Sequence, residues 1–391
     1  MKTVAFLLHA ASPEQLTGGE KSLVDLAVGI SRLNWRCLVV APNTGISTDR
    51  ARQAGLEVIP CRSRMLWLSH PMGMNRLVSM AKIIAFVAGW PAVFRLRKIF
   101  RTRRVDVVHV NGIVHVWGGV AARSLGLPVV WHIREIVGGP VRRRLLVGLV
   151  ERLADRVVVV SRAVAAQFPG RRAPVRVIYN GIADPSGSAR KSGSRRPGPV
   201  RVGHAGQIQP QKGQRQLIEV ARRLKDSGSP RLLFLIAGSI DGNREGERLL
   251  ADLENTGLKD MVEMTGFLAD LRQFFRSLDL LAVTSTAPDP LPRVLAEAMM
   301  EGLPVVAFAT GGIPEMVQPG ETGILVPAGD LDRFAAAVRE LAGSPELRQR
   351  MGVAARSRAL ELFSMEAYIR HCVDVYAGLE GPTPIRREAF S

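Results

Sequence analysis

Cysteine, aromatic residues and acids are all scarce in this chain of 391 residues. The three cysteines, Cys37, Cys61 and Cys372, lie far apart and form no Cys-x-x-Cys pair. That argues against a disulfide scaffold or a structural zinc site and makes a reducing cytoplasm the expected compartment. Aromatics are 5% of residues, with no aromatic-and-basic sheet motif and no recognition-helix signature, so nucleic acid is not an expected partner. The longest apolar stretch, Ile83 to Phe94, contains Gly89, Trp90 and Pro91 and is too short to span a bilayer. The opening run Lys2–His9 has no small-residue cleavage site and reads as a first buried strand, not a secretory signal. No His, Asp or Glu cluster has ligand spacing, so no metal is expected.

Basic residues are abundant. Lys and Arg number 53 against 35 Asp and Glu, a formal net charge of +18. Residues 1–182 hold 27 of the basic and 9 of the acidic residues, so the whole excess sits in the first half. Such a half can face an anionic bilayer or an anionic substrate, or carry solvated surface arginines, and charge alone does not choose. Arg95, Arg97, Lys98, Arg101, Arg103 and Arg104 follow directly on the apolar stretch with Phe86, Trp90 and Phe94, and Arg142, Arg143 and Arg144 form a second cluster. The pattern suits an enzyme on the inner face of a membrane; a core helix ending in solvated arginines fits the same residues.

With 47% hydrophobic residues, the chain has material for two α/β domains. Short β-branched runs predict strands at Thr3–Leu8, Cys37–Val40, Val58–Ile59, Val105–Val108, Val129–Trp131, Arg156–Val160 and Val175–Ile178. Amphipathic stretches between them, such as Lys21–Leu33 and Val141–Leu153, predict the helices of a doubly wound parallel sheet. The Pro-, Gly- and Ser-rich segment 183–199 reads as a linker. A second series follows, with strands at Val200–Ala205, Leu232–Ile236, Val262–Met264, Leu280–Val283, Val305–Ala307 and Ile324–Val326. Helices fit Gly213–Ser227, Gly246–Thr256, Arg293–Met300, Asp330–Leu341 and Glu346–Leu362. The expected division is 1–182, linker 183–199, a second domain 200–363, a closing helix 364–380 capped by Ser364, and a tail 381–391.

Four segments carry groups suited to chemistry. Gly206-Gln-Ile-Gln-Pro-Gln-Lys212-Gly213 follows a strand and opens a helix, where backbone amides and a lysine favour an anion; a plain loop with a solvated lysine has the same sequence. Asp289-Pro-Leu-Pro-Arg-Val-Leu-Ala-Glu297 sets two acids across a loop-to-helix junction, where they accept ligand hydroxyls or act as cap and surface charge. Gly311-Gly312-Ile-Pro-Glu315 and Gly18-Gly19-Glu20 are glycine pairs that permit close backbone approach or a mere change of direction. Asp330-Leu-Asp332 follows Gly329 at a helix start and is expected to cap it rather than hold a metal.

Together with Trp131-His132-Ile133-Arg134-Glu135, Val157–Ser161, Tyr179-Asn180-Gly181 and Thr265-Gly266-Phe267, and in this order, these segments make the chain resemble the retaining glycosyltransferases of family 4 from Thr3 to about Leu379. The resemblance implies the GT-B architecture: two Rossmann-like doubly wound α/β domains facing across a cleft, with the last helix crossing back to the first. It also implies a nucleotide-diphosphate sugar as co-substrate, without cofactor or metal, and a glycan or lipid-linked acceptor, with a role in polysaccharide or glycolipid synthesis. By the same resemblance Lys212 contacts the distal phosphate, Glu297 the ribose, Asp289 the transferred sugar, and Gly311 and Gly312 border sugar and phosphate. Phe267 lies near the base, Gly18 and Gly19 close over the diphosphate, and His132 faces sugar and acceptor. Two departures stand out: Asp289 replaces the usual glutamate, and Gln207, after Gly206, replaces an arginine, for which Arg293 or Arg215 is expected to compensate. Pro292 removes an amide that the family often supplies. A nucleotide-sugar epimerase of the same fold and a non-catalytic nucleotide-sugar-binding protein are the alternatives.

Overall fold

The computed structural model describes residues 1–9, 16–63, 87–170, 172–184, 198–225, 231–240 and 244–379. It divides into two compact units, Met1–Gly181 with Met365–Ser391, and Ile182–Ser364. Most of the expected linker, the expected tail and residues 83–86 of the apolar stretch lie outside the described residues.

In the first unit the strands are β1 (Thr3–Leu7), β2 (Arg36–Ala41), β3 (Glu57–Pro60), β4 (Val107–Asn111), β5 (Val129–Ile133), β6 (Arg156–Val159) and β7 (Val175–Val177). They pair in the order β3-β2-β1-β4-β5-β6-β7, all in parallel, with Val4 opposite both Cys37 and Val107. β1, β4 and β5 are buried along their whole length, and β1 accordingly reads as an unbroken apolar run rather than an alternating one. The switch in strand order falls between β1 and β4, the position where sheets of this kind take ligands.

Two boundaries differ from the sequence expectation for physical reasons. The first helix starts at Gly18, not Lys21, because Thr17 and Glu20 form a reciprocal capping box. The Glu20 amide donates to Thr17 Oγ1, and the Thr17 amide to Glu20 Oε2. Gly18 and Gly19 are therefore the first turn of the helix Gly18–Ser31. β4 runs on through His109 and Asn111, beyond the apolar residues that announced it, because those polar side chains are hydrogen-bonded inside the sheet.

The closing helix, Met365–Ala377, packs on Gly18–Ser31. A Cβ on Gly29 would stand 2.1 Å from Ile369 Cδ1, so the glycine lets the two helices approach closely. Tyr368, Cys372, Val375 and Tyr376 are buried there, and the Tyr376 hydroxyl lies 2.7 Å from His109 Nδ1. Elsewhere in this unit the helices Ala92–Thr102, Val116–Arg123 and Pro140–Leu153 pack side by side in that order.

The second unit repeats the plan with β8 (Val200–Ala205), β9 (Leu232–Ala237), β10 (Val262–Gly266), β11 (Leu280–Val283), β12 (Val305–Phe308) and β13 (Gly323–Val326). Their order is β10-β9-β8-β11-β12-β13, again all parallel, with the switch between β8 and β11. Phe234, Phe308 and Phe334 anchor its core, the last two edge to face with centroids 5.0 Å apart. Asp330 caps the helix Leu331–Gly343 through the Arg333 amide, and Asp332 pairs with Arg223, so both acids of the Asp-x-Asp string have structural partners.

Tyr376→Phe deletes one hydroxyl and strands a fully buried imidazole nitrogen on His109. The expected loss is about 1–3 kcal/mol of folding stability, read as a lower urea midpoint at unchanged m-value. An unaltered midpoint would show that this hydrogen bond does nothing to hold the closing helix.

Candidate active site

In the second unit the side chains gather where the sheet order switches. β8 ends at Ala205, and the loop beyond it is fastened to the end of β11 by its backbone. His204 Nε2 donates to the Lys212 carbonyl (3.1 Å), the Thr284 hydroxyl donates to the Gly213 carbonyl (2.7 Å), and the Thr286 amide to the Gln211 carbonyl (3.0 Å). Gly213 has φ +75°, and a Cβ there would fall 1.8 Å from the Thr284 carbonyl oxygen, so no side chain fits. Held this way, Lys212 reaches Asp289, its Nζ 2.5 Å from Oδ2.

Asp289 is fixed from the other side by the glycine pair. The Gly312 amide donates to the Asp289 carbonyl (2.8 Å), and Gly311, at φ +55°, lies so close that a Cβ would meet that carbonyl oxygen at 2.1 Å. Lys212, Asp289, Gly311 and Gly312 thus form one assembly. Glu297 sits in the helix Arg293–Met300 with Arg293 Nε 2.9 Å from its Oε1, both side chains mostly buried. Arg293 is committed to Glu297, and Arg215 to Glu245 and Asp252. The side chain of Gln207 is exposed beside Gln209, and Gly206, at φ +150°, has open space where a Cβ would go. Phe267 is exposed beyond β10.

In the first unit, polar side chains at the ends of β1, β4 and β5 converge on Arg134. Its Nε donates to Asn111 Oδ1 (2.7 Å), Nη1 to Asn180 Oδ1, and Nη2 to the Tyr368 hydroxyl (2.9 Å). Because arginine only donates, Asn111 turns its oxygen to Arg134 and its NH₂ to His9 Nδ1, 3.2 Å away. His9 consequently carries its proton on Nε2. Nδ1 of His132 lies 3.5 Å from Arg134 Nη2 and 3.2 Å from His109 Nε2, so it is the acceptor of both. His109 in turn accepts from Tyr376 at Nδ1, and the buried Nε2 of His132 has no partner among the described residues.

His132, which the resemblance has facing sugar and acceptor, is fully buried in this structure. It is still a paired residue of β5, flanked by β4 and β6, and its ring packs near Tyr368. The side chain beside the first glycine pair is Arg134, just past the end of β5, with Cδ 3.4 Å from where Gly19 would carry a Cβ. Arg134 and Asn180 stand in segments the sequence singled out just past predicted strands and Tyr368 in the predicted closing helix, but their convergence with Asn111 was not legible.

Burial, reinforced by the Arg134 charge, lowers His9 to about 4 and His109 to about 3, and holds His132 well below the usual imidazole range. Burial likewise lowers His115 and His204 to about 4. Burial raises the Glu135 carboxyl, against the bonds it accepts from the Arg134 and Ile113 amides.

Two Rossmann-like units with parallel sheets and functional groups at the strand ends define a GT-B glycosyltransferase fold. Solved proteins share it: the Anabaena protein HepE, in complex with UDP-glucose, superposes with a TM-score of 0.77 at 24% identity, over 97% of this chain and 100% of that one. Sucrose-phosphate synthase from Thermosynechococcus elongatus gives 0.73 at 19% identity, over 97% and 99%. The Glycosyltransferase Family 4 model matches residues 16–184, and the Glycosyl transferases group 1 model residues 187–358. The chain belongs to this family of glycosyltransferases. Among its relatives, 2-deoxystreptamine N-acetyl-D-glucosaminyltransferase of Streptomyces fradiae is 30% identical, over 68% of this chain and 72% of its own length. A GDP-mannose-dependent alpha-mannosyltransferase of Mycobacterium tuberculosis is 28% identical over 91% and 92%.

The buried histidines give the fold a one-sided acid limit. Each has a folded-state pKa below its unfolded value, so the unfolded chain binds the extra protons. Their contribution is intact above about pH 6.5 and is lost as pH falls toward about 4, at up to roughly 1.4 kcal/mol per pH unit for each. Urea midpoints are expected to drop between pH 7.5 and 5.5. A flat profile across that range would contradict neutral packing of these rings.

Proposed function

We propose that this glycosyltransferase is a retaining, metal-independent enzyme that moves a sugar from a nucleotide-diphosphate donor to a glycan or lipid-linked acceptor. The observation that carries the reading is the Lys212–Asp289 pair at the strand switch of the second unit, backed by the Gly311–Gly312 turn. Support for the donor class comes from the relatives, one dependent on GDP-mannose and one solved with UDP-glucose.

In this reading the donor's distal phosphate takes the Lys212 ammonium, releasing the Asp289 carboxylate for hydroxyls of the transferred sugar. Glu297, steadied by Arg293, accepts the ribose hydroxyls. As the bond from the anomeric carbon to the phosphate oxygen breaks, negative charge grows on the diphosphate and Lys212 neutralises it. The acceptor oxygen bonds to the anomeric carbon from the face the diphosphate leaves, and its proton passes to a phosphate oxygen. A positioned cation of this kind is worth on the order of 3 kcal/mol in the barrier.

The acceptor reading leans on the surface of the first unit. Trp90 is 53% exposed, Phe94 56%, Val141 72% and Leu145 68%, on or beside the helices Ala92–Thr102 and Pro140–Leu153. Ala92–Thr102 has no acid, and the single acid of Pro140–Leu153, Glu151, is buried. Ala92, Leu96 and Phe100 pack inward, so the stretch has one core face and one apolar, arginine-rich outer face. That combination suits the inner face of an anionic membrane. No helix among the described residues is long and apolar enough to cross a membrane.

A thermal-shift panel of UDP and GDP sugars tests the donor claim: at least one is expected to raise Tm, and Lys212→Gln to cut turnover a hundredfold or more with folding intact. If no nucleotide sugar stabilises the chain, the reading fails. For the membrane claim, the protein is expected to float with acidic liposomes at moderate salt, and Trp90→Ser with Phe94→Ser to weaken that several-fold. Equal recovery with neutral and acidic vesicles would defeat it.

A further inference from the structure

We propose that Arg134 is an oxyanion-binding residue of the first unit, aimed by Asn111, Asn180 and Tyr368 at a phosphate group of a ligand. The inference stands on the first unit's own geometry and does not require the donor assignment.

A guanidinium offers five N–H groups. Four have acceptors: Asn111 Oδ1, Asn180 Oδ1, the Tyr368 hydroxyl and His132 Nδ1. Every one of these acceptors is neutral. The remaining N–H, on Nη1, has no acceptor among the described residues. The neighbouring acid, Glu135, spends Oε2 on the Ile113 and Arg134 amides, and its Oε1 turns toward Gly112, 2.7 Å from where a Cβ would be. Arg134 is thus fixed in direction but keeps its charge, in a half-buried position where an unpaired charge is costly.

Arg358 likewise meets only neutral acceptors, whereas other arginines close on acids. Arg36 and Arg103 close on Glu57, Arg123 on Asp155, Arg276 on Glu301 and Arg356 on Asp184. Beside Arg134 stand Gly19, in the first turn of the helix Gly18–Ser31, and His9, neutral and protonated on Nε2. Helix amides and a guanidinium with no ion pair among the described residues are complementary to phosphate oxygens. The phosphate has two sources, the diphosphate of a nucleotide or a phosphorylated acceptor, and both present the same oxygens.

The test uses the intact chain in a Lys212→Gln background, which removes the second unit's cation, with inorganic pyrophosphate as probe in isothermal titration. Pyrophosphate is expected to bind, Arg134→Gln to weaken it tenfold or more, and Arg134→Lys to fall between, charge being kept and the fork lost. Tyr368→Phe, which loosens the aim and spares the charge, is expected to cost a few-fold. UDP titrated into chains with native Lys212 identifies the source: weakening by Arg134→Gln to match pyrophosphate points to a nucleotide, and unchanged UDP affinity to a phosphorylated acceptor. Where Arg134→Gln fails to fold by near-ultraviolet circular dichroism, Arg134→Lys decides alone. Pyrophosphate that does not bind, or that binds every folded variant within twofold of the parent, overturns the proposal. If nucleotide sugars fail to stabilise the protein while pyrophosphate binding still depends on Arg134, the donor assignment falls and this site remains.

Discussion

Close backbone approach is the constraint on which the second unit's Lys212–Asp289 pair depends. Gly213 and Gly311 both have positive φ, and each abuts a carbonyl, of Thr284 and Asp289 respectively, at a distance that excludes a Cβ. Between them they set where Lys212 and Asp289 begin, and the two side chains need only span the gap that is left. An ammonium and a carboxylate in contact satisfy each other in the unliganded protein, and either is available to a partner that offers a better match. The glycines therefore place the pair without touching its charged ends.

The first unit solves a different problem, the burial of many polar groups at the ends of parallel strands. Its histidines are neutral because they are buried, and the hydrogen-bond directions are propagated from groups of fixed polarity. Arg134 can only donate, which fixes Asn111 and through it His9; it also makes an acceptor of His132 Nδ1, and with it the tautomer of His109. One cation thus dictates the proton positions of several neighbours, and the closing helix joins the chain of bonds through both its tyrosines.

Most of the architecture was legible because parallel strands covered on both faces announce themselves as apolar runs. Each strand expectation has an observed counterpart, with edges moved by a residue or a few. The edges moved where polar residues continue a strand, as at His109 and Asn111, since periodicity cannot tell a buried, satisfied polar group from a loop. Lys212, Asp289 and the second glycine pair lie in loops that open at a strand end, so local sequence reports their place in the fold. His132 and Arg134 were harder: they are two residues apart, and only the pairing of β5 with both neighbours shows which one is interior. Asn180 and Tyr368 come from positions remote in sequence, and no local pattern connects them to Arg134.

The order of the chain carries a consequence for how the molecule is made. Residues 182–364 interrupt a unit whose last helix follows them in the chain. A nascent first half emerging from the ribosome has neither Tyr368 nor Tyr376, so its interior histidine pair waits uncovered while the second unit folds as a self-contained insert. Expression of residues 1–181 alone would reproduce that incomplete state. Gly181 lies against Met365 and Tyr368, so a short peptide joining 181 to 365 would make the first unit a single continuous chain.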